Sequence, residues 1–91
     1  MPEEAKEVNE EEIGKVTHFF PKVSAAGIEI TSGTLNVGDT IHIKGHTTDF
    51  KQKVASMQID GKSVPGASKG DEIGILVKKR VRSHDVVYKV S

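Results

Sequence analysis

The chain has 91 residues, of which 35% are hydrophobic and 29% are charged, and its formal net charge is zero. A chain of this length can enclose only one core, so we expect a single small domain. There is no cysteine, which excludes disulfides and thiolate metal sites, and no apolar run is long enough for a signal peptide or a membrane span. These features predict a soluble, cytoplasmic protein.

The neutral total conceals an uneven distribution of charge. Residues 1–12 contain six glutamates and one lysine, a net charge of −5, whereas the rest of the chain contains 12 basic and seven acidic residues, a net charge of +5. Such an acidic segment buries too little apolar surface to offset ordering, so we predict a disordered tail over 1–12 and a folded domain over 13–91. A short frayed helix is the alternative for the tail. The tail could act as a solubilising segment or as an arm that competes with nucleic acid for the basic domain.

The first two predicted strands cover residues 13–20 and 23–32. Alternation in the first places Val16, His18 and Phe20 on one face, and Pro21 ends it because proline cannot donate to a sheet ladder. The second contains the small residues 25–27, which suit a crowded corner of a barrel or a bulge.

The stretch 33–45 contains two glycine turns and a strand. Gly33 and Gly38 suit turns because glycine adopts backbone angles that other residues disfavour, and Leu35 between them is a candidate plug for the core. The strand 40–44 that follows alternates strictly, which predicts Ile41 and Ile43 inside.

The second half predicts three more strands, at 50–59, 73–77 and 86–90. Val54 and Met57 in the first of these both look like core residues although they are three apart, which predicts a β-bulge near residues 55–56. Asp60-Gly61 is a strong signal for a tight turn. A basic connection over 78–84 joins the last two strands.

Six short strands separated by turns predict an all-β barrel or sandwich. We prefer a single six-stranded antiparallel β-barrel, because closure removes exposed sheet edges. The predicted core consists of Val16, Ile28, Ile30, Leu35, Ile41, Ile43, Val54, Met57, Ile59, Ile73, Ile75, Val77 and Val86.

The run 33–45, GTLNVGDTIHIKG, resembles the second domain of translational GTPases of the elongation factor Tu type. Residues 70–75, GDEIGI, and 84–87, HDVV, are similar to later elements of that domain. The whole chain also resembles the small free-standing translation elongation factor-like proteins, and residues 48–54, TDFKQKV, resemble a stretch in the C-terminal barrel of collagenase-like peptidases.

The resemblance to translation factors implies a Greek-key barrel that binds RNA, including the acceptor end of tRNA, or packs against a partner domain. The chain has no G-x-x-x-x-G-K-[ST] phosphate loop, so we expect no GTPase activity and no nucleotide binding of its own. Only the accessory barrel of the peptidases is matched, so we expect no peptidase activity either, and no cofactor.

Three histidines invite a chemical role, and in each case a structural reading is preferred. His42 and His46 are four residues apart on a strand, which separates their backbones by roughly 13 Å, so we expect both to face solvent and to bind no metal. His18 between apolar neighbours reads as a structural residue rather than a catalyst.

A basic set with one aromatic residue is the stronger candidate for a binding surface, because cationic side chains contact phosphates and aromatic rings stack on bases. We predict an RNA- or ribosome-associated binding module, with tRNA or rRNA as the partner. The alternative is a protein-interaction module that docks on a separate enzyme or GTPase chain. The predicted contact residues are Lys44, Phe50, Lys51, Lys53, Lys78, Lys79, Arg80 and Arg82.

Overall fold

The structure, a computed structural model, describes residues 10–90. This part of the chain contains ten strands and no helix. Residues 1–9 of the predicted acidic tail lie outside the described residues, whereas its last three residues form the start of the first strand. The strands are β1 (Glu10–Phe20), β2 (Ala25–Ile30), β3 (Thr34–Asn36), β4 (Thr40–Lys44), β5 (Asp49–Lys53), β6 (Gln58–Ile59), β7 (Lys62–Ser63), β8 (Gly66–Ser68), β9 (Glu72–Leu76) and β10 (Val86–Val90).

Eight of the strands form one antiparallel sheet in the order β5-β4-β10-β1-β2-β9-β6-β7, and β3 pairs separately with β8. The all-β antiparallel prediction is confirmed. The closed six-stranded barrel is wrong, because β5 and β7 remain as sheet edges and there are eight and two strands in the two sheets.

The predicted strand 50–59 is interrupted rather than bulged. Val54 and Met57 are each 1% exposed, so both side chains enter the core. Strand alternation cannot direct two residues three apart to the same face. The backbone therefore leaves the sheet over 54–57, between β5 and β6, and this break opens one side of the sheet.

A β-bulge in β1 overturns the predicted inward face of its second half. The register with β2 shifts between Val16 and His18. As a result His18 and Phe20 are exposed, whereas Phe19 packs against the core. Simple alternation fails here because a bulge inserts one extra residue and reverses the faces beyond it.

The core lies between the inner faces of the two sheets and contains 11 of the 13 predicted core residues. Ile59 is only partly buried, and Val86 is half-buried because β10 turns Val87 inward instead. The buried hydrophobic residues that were not predicted are Ile13, Ala26, Phe50, Ala67, Val81 and Val87.

One buried side chain connects β5 to β9, two strands that are not neighbours in the sheet. The Gln52 amide nitrogen donates to Leu76 O at 2.9 Å, and its oxygen accepts from the Lys78 backbone N–H at 2.8 Å. Gln52 is 9% exposed. The Gln52 side chain thus gives hydrogen-bond partners to Leu76 O and the Lys78 N–H, which have no neighbouring strand on that side within the described residues.

Candidate binding groove

The outer face of the sheet has a shallow groove whose floor is formed by two glycines. The ladder places His18, Gly27, Gly74 and Gln58 in one row across β1, β2, β9 and β6. Residues directly opposite in an antiparallel ladder point to the same face, so this row has a side chain at each end and none in its middle. The hollow over the glycines has a volume of about 410 Å³.

The two walls of the groove are built by local turn and bulge geometry. On one side, the bulge in β1 turns His18 and Phe20 outward, where their rings stack with centroids 5.9 Å apart. On the other side, Asp60 and Gly61 form the two-residue turn between β6 and β7 with φ values of 52° and 78°. Positive φ at both positions is typical of a type I′ hairpin, so the predicted tight turn is confirmed.

A second hollow of about 330 Å³ adjoins the first along β9. It exists because β9 pairs with β2 over five residue pairs but with β6 at only one, Gln58–Gly74. Because residues 54–57 leave the sheet, this edge of β9 has no neighbouring strand beyond Gly74 in the part of the chain that the structure describes. Val23 and Leu76, which are 62% and 59% exposed, lie beside the opening.

The two ends of the groove differ in chemistry. The apolar side chains of Val23 and Leu76 lie at one end, whereas Asp60 and Glu72 line the other. Glu29 is the direct cross-strand partner of Glu72, so a further carboxylate stands on the same face at the acidic end.

A second cluster surrounds His42, which was expected to face solvent but is only 9% exposed. Its Nδ1 lies 2.8 Å from Glu10 Oε2, and its Nε2 lies 2.5 Å from Asp49 Oδ1. The hydrogen bond with His42, together with the positive charges of Lys44 and Lys51, lowers the pKa of the Asp49 carboxyl below its ordinary value of 3.8. His42 is buried because Glu10 on β1, Asp49 on β5 and Tyr88 on β10 surround it, which its own alternation pattern does not reveal.

The geometry of this cluster does not suit a metal ion. Glu10 and Asp49 approach opposite edges of the imidazole ring, so the ring separates them. His46 lies in the exposed loop after β4 and does not join the cluster. Within residues 10–90, no group of three histidine or carboxylate side chains is placed to hold a metal.

The structure divides the predicted contact residues among several places. Phe50 is 8% exposed and packs in the core, so its ring cannot stack on a base. Lys51 lies 3.7 Å from Glu10 Oε2, and Arg82 Nε donates to Thr47 Oγ1 at 3.0 Å. The Arg80 guanidinium stacks over Phe19 at 5.9 Å. The remaining members, all exposed, are Lys44 and Lys53 at the ends of β4 and β5, and Lys78 and Lys79 after β9.

The groove was not predicted, although the sequence held one signal for it. Glycine inside a strand weakens the strand and often marks a place where another chain approaches closely. Gly27 and Gly74 both lie inside predicted strands, but only the sheet register shows that they are neighbours.

Sequence comparison connects the chain with proteins named for proteolysis. It is 46% identical over 78 residues to an uncharacterized protease of Methanocaldococcus jannaschii, and 40% identical over 78 residues to a collagenase of Porphyromonas gingivalis. Each match covers 85% of this chain but only 19% and 22% of the relative. The chain thus spans about a fifth of the length of the curated relatives it matches. No protein-family model matches the chain.

Structural comparison finds the same fold in a domain of another protein named as a peptidase. The C-terminal domain of a candidate U32 peptidase of Geobacillus thermoleovorans superposes with a TM-score of 0.81 at 18% identity, covering 87% of this chain and 91% of that one. A selenomethionine form of the same domain gives a TM-score of 0.80. The chain has the fold of that domain.

These matches overturn the resemblance to elongation factor Tu and to free-standing translation factor-like proteins. The predicted role in translation, as an RNA- or ribosome-associated module, is wrong on the same findings. The motif GTLNVGDTIHIKG encodes two turns, a plug and a strand, and a small β-domain needs these features whatever its function. The resemblance of residues 48–54 to collagenase-like peptidases agrees with the sequence matches to a protease and a collagenase.

The described residues contain no helix long and apolar enough to cross a membrane.

Proposed function

We propose that this chain is an accessory β-domain of the kind carried by U32-type peptidases and collagenases, and that it binds polypeptide without cleaving peptide bonds. The observation that carries the proposal is the 40–46% identity over 78 residues to proteins named protease and collagenase, of which the matched part is about a fifth. A matched segment of that size is one part of a longer protein, and this supports an accessory role for the domain.

The open groove supports binding over catalysis. Peptide-bond cleavage by a side-chain nucleophile needs that nucleophile beside a base that a third group orients. In the groove, His18 Nδ1 lies 3.4 Å from Thr17 Oγ1, and the ring stacks on Phe20. Within residues 10–90, no carboxylate is hydrogen-bonded to that ring. A glycine floor flanked by exposed apolar side chains instead offers contact area to an extended chain.

The proposal is tested with the purified chain and two dye-labelled polypeptides, denatured type I collagen and casein. We expect fluorescence anisotropy to rise with saturation as the chain is added, and gel electrophoresis to show intact substrates after prolonged incubation. A folded protein of similar size and charge provides the control for non-specific binding.

Two outcomes would overturn the proposal. If neither polypeptide binds at millimolar concentrations of the chain, polypeptide binding is refuted. If fragments appear, and Thr17→Ala or His18→Ala abolishes them, the groove is catalytic and the non-catalytic assignment is refuted.

A further inference from the structure

Gly74 differs from the other eight glycines because the described structure gives no internal reason for it. Four of the others have positive φ, and at the remaining four a Cβ atom would approach a neighbouring heavy atom to 3.1 Å or closer. A Cβ added at Gly74 would meet nothing within 4 Å. The glycines with an internal reason are Gly14, Gly27, Gly33, Gly38, Gly45, Gly61, Gly66 and Gly70.

This matters because a glycine inside a strand destabilises the strand relative to alanine. Gly74 lies in the middle of β9, and its neighbour Gly27 leaves the adjoining position without a side chain as well. Side chains at these positions would fill the hollow between His18 and Gln58. The empty floor therefore allows the backbone of another molecule to approach the sheet closely.

The charges at the acidic end indicate what that molecule carries. Glu29 and Glu72 are direct cross-strand partners, and like charges in such pairs repel. None of the ion pairs formed within residues 10–90 involves Glu29, Asp60 or Glu72. Lys15 is the other cross-strand partner of Glu29 and offsets one of these charges. Asp60 and Glu72, which line the hollow, are therefore the carboxylates to which a cationic side chain of the ligand would be complementary.

The opposite end favours an apolar side chain, since Val23 and Leu76 are largely exposed there. The groove follows β9 from Glu72 to Leu76, four residues, or roughly 13 Å at about 3.3 Å per residue. An extended segment of about five residues spans that length.

We propose that the groove binds an extended polypeptide segment with a lysine or arginine at the acidic end, an aliphatic residue at the Val23–Leu76 end, and glycine or alanine over Gly27 and Gly74. This inference rests on the proposed function and names its ligand class.

The test uses dye-labelled pentapeptides with capped ends and the full chain. Leu-Ala-Gly-Ala-Lys and its reverse are compared with the same peptides carrying glutamate in place of lysine, or leucine in place of glycine. We expect the lysine peptide that runs in the direction the groove accepts to bind at least tenfold more tightly than its glutamate or central-leucine counterpart. Asp60→Asn combined with Glu72→Gln should remove the preference for lysine.

Gly74→Val is the decisive variant, because its side chain enters open space and fills the groove. We expect peptide affinity to fall at least tenfold while the melting temperature stays unchanged or rises. Ser68→Val is the matched control: it places the same side chain on an exposed position of β8, outside the groove, and should preserve affinity. Gly74→Ala should raise the melting temperature by about 2–6 °C.

The outcomes separate the two proposals. The groove assignment is refuted if Gly74→Val binds the peptides with wild-type affinity, or if lysine and glutamate peptides bind equally well. In either case, binding of denatured collagen by the wild type would still support the proposed function. If the wild type binds none of the polypeptides, the proposed function itself is refuted. Sedimentation provides the last arm: a dimer that Gly74→Val converts to a monomer would make a second copy the occupant and refute the peptide assignment.

Discussion

Gln52 offers a sharp test of how this open sheet is held together. Its amide donates to Leu76 O at 2.9 Å and accepts from the Lys78 N–H at 2.8 Å, in a position that is 9% exposed. In Gln52→Glu the carboxylate can still accept from Lys78. It cannot donate to Leu76 O, so two oxygens face each other and the carbonyl loses its partner.

The expected cost follows from these two changes. A typical hydrogen bond contributes about 1 kcal/mol net, and a buried acceptor left without a partner costs about 1–3 kcal/mol. We expect Gln52→Glu to lower the free energy of unfolding by about 2 kcal/mol at neutral pH. For a domain of this size that lowers Tm by roughly 8–16 °C.

The pH dependence of the cost identifies its cause. The facing carbonyl disfavours the charged form, so the pKa of the new carboxyl is raised in the folded state above its unfolded value of about 4.3. The penalty is therefore complete above the folded pKa and disappears below the unfolded one, where the protonated group donates again. The gap in stability between wild type and Gln52→Glu should close as the pH falls from 7 towards 4.

Urea unfolding of both proteins at a series of pH values measures this gap. Gln52→Met is the control, because it loses both hydrogen bonds and cannot titrate, so its deficit should not vary with pH. Our account of Gln52 would be refuted if Gln52→Glu matched wild type at pH 7, or if its deficit did not change with acidification.

Three further predictions concern other parts of the fold. The hydrogen bond with His42 lowers the pKa of Asp49, so this pKa should rise towards 3.8 in His42→Gln, as measured by NMR titration. The stabilisation that Asp49 contributes is present above pH 3.8 and is lost as the pH falls through the lowered pKa. Gly45→Ala should destabilise the protein by about 1–3 kcal/mol in urea unfolding, because its methyl group would overlap the Asp85 carboxylate; equal stability would contradict the observed contact. Leu35→Ala should cost about 3 kcal/mol, measured by calorimetry, since Leu35 is fully buried; a loss below 1 kcal/mol would show that it does not plug the core.

Local chemistry explains why some elements were predictable. The predicted strand 40–44 has the bounds of β4, because Ile41 and Ile43 alternate with polar residues between two turns. The Asp60-Gly61 turn follows from the backbone angles that these residues tolerate. The motif over 33–45 was equally predictable in structure, and for that reason it misidentified the family: turn and strand requirements are common to many small β-domains.

The alternation rule failed where the backbone departs from a regular ladder. The bulge after Val16 reverses the faces of β1, and the break at 54–57 divides a predicted strand. Both irregularities shape the groove, since one turns His18 outward and the other uncovers the edge of β9. The closed barrel was wrong for the second of these reasons.

The sequence by itself determined the all-β class, the turn positions and most of the core, because each depends on neighbouring residues and on a period of two. Only the tertiary structure decided which glycines face each other, that His42 is covered by Glu10 and Asp49, and that Gln52 reaches β9. These relations join residues that are far apart in the chain. They depend on strand register, and a shift of one residue would reverse every face involved.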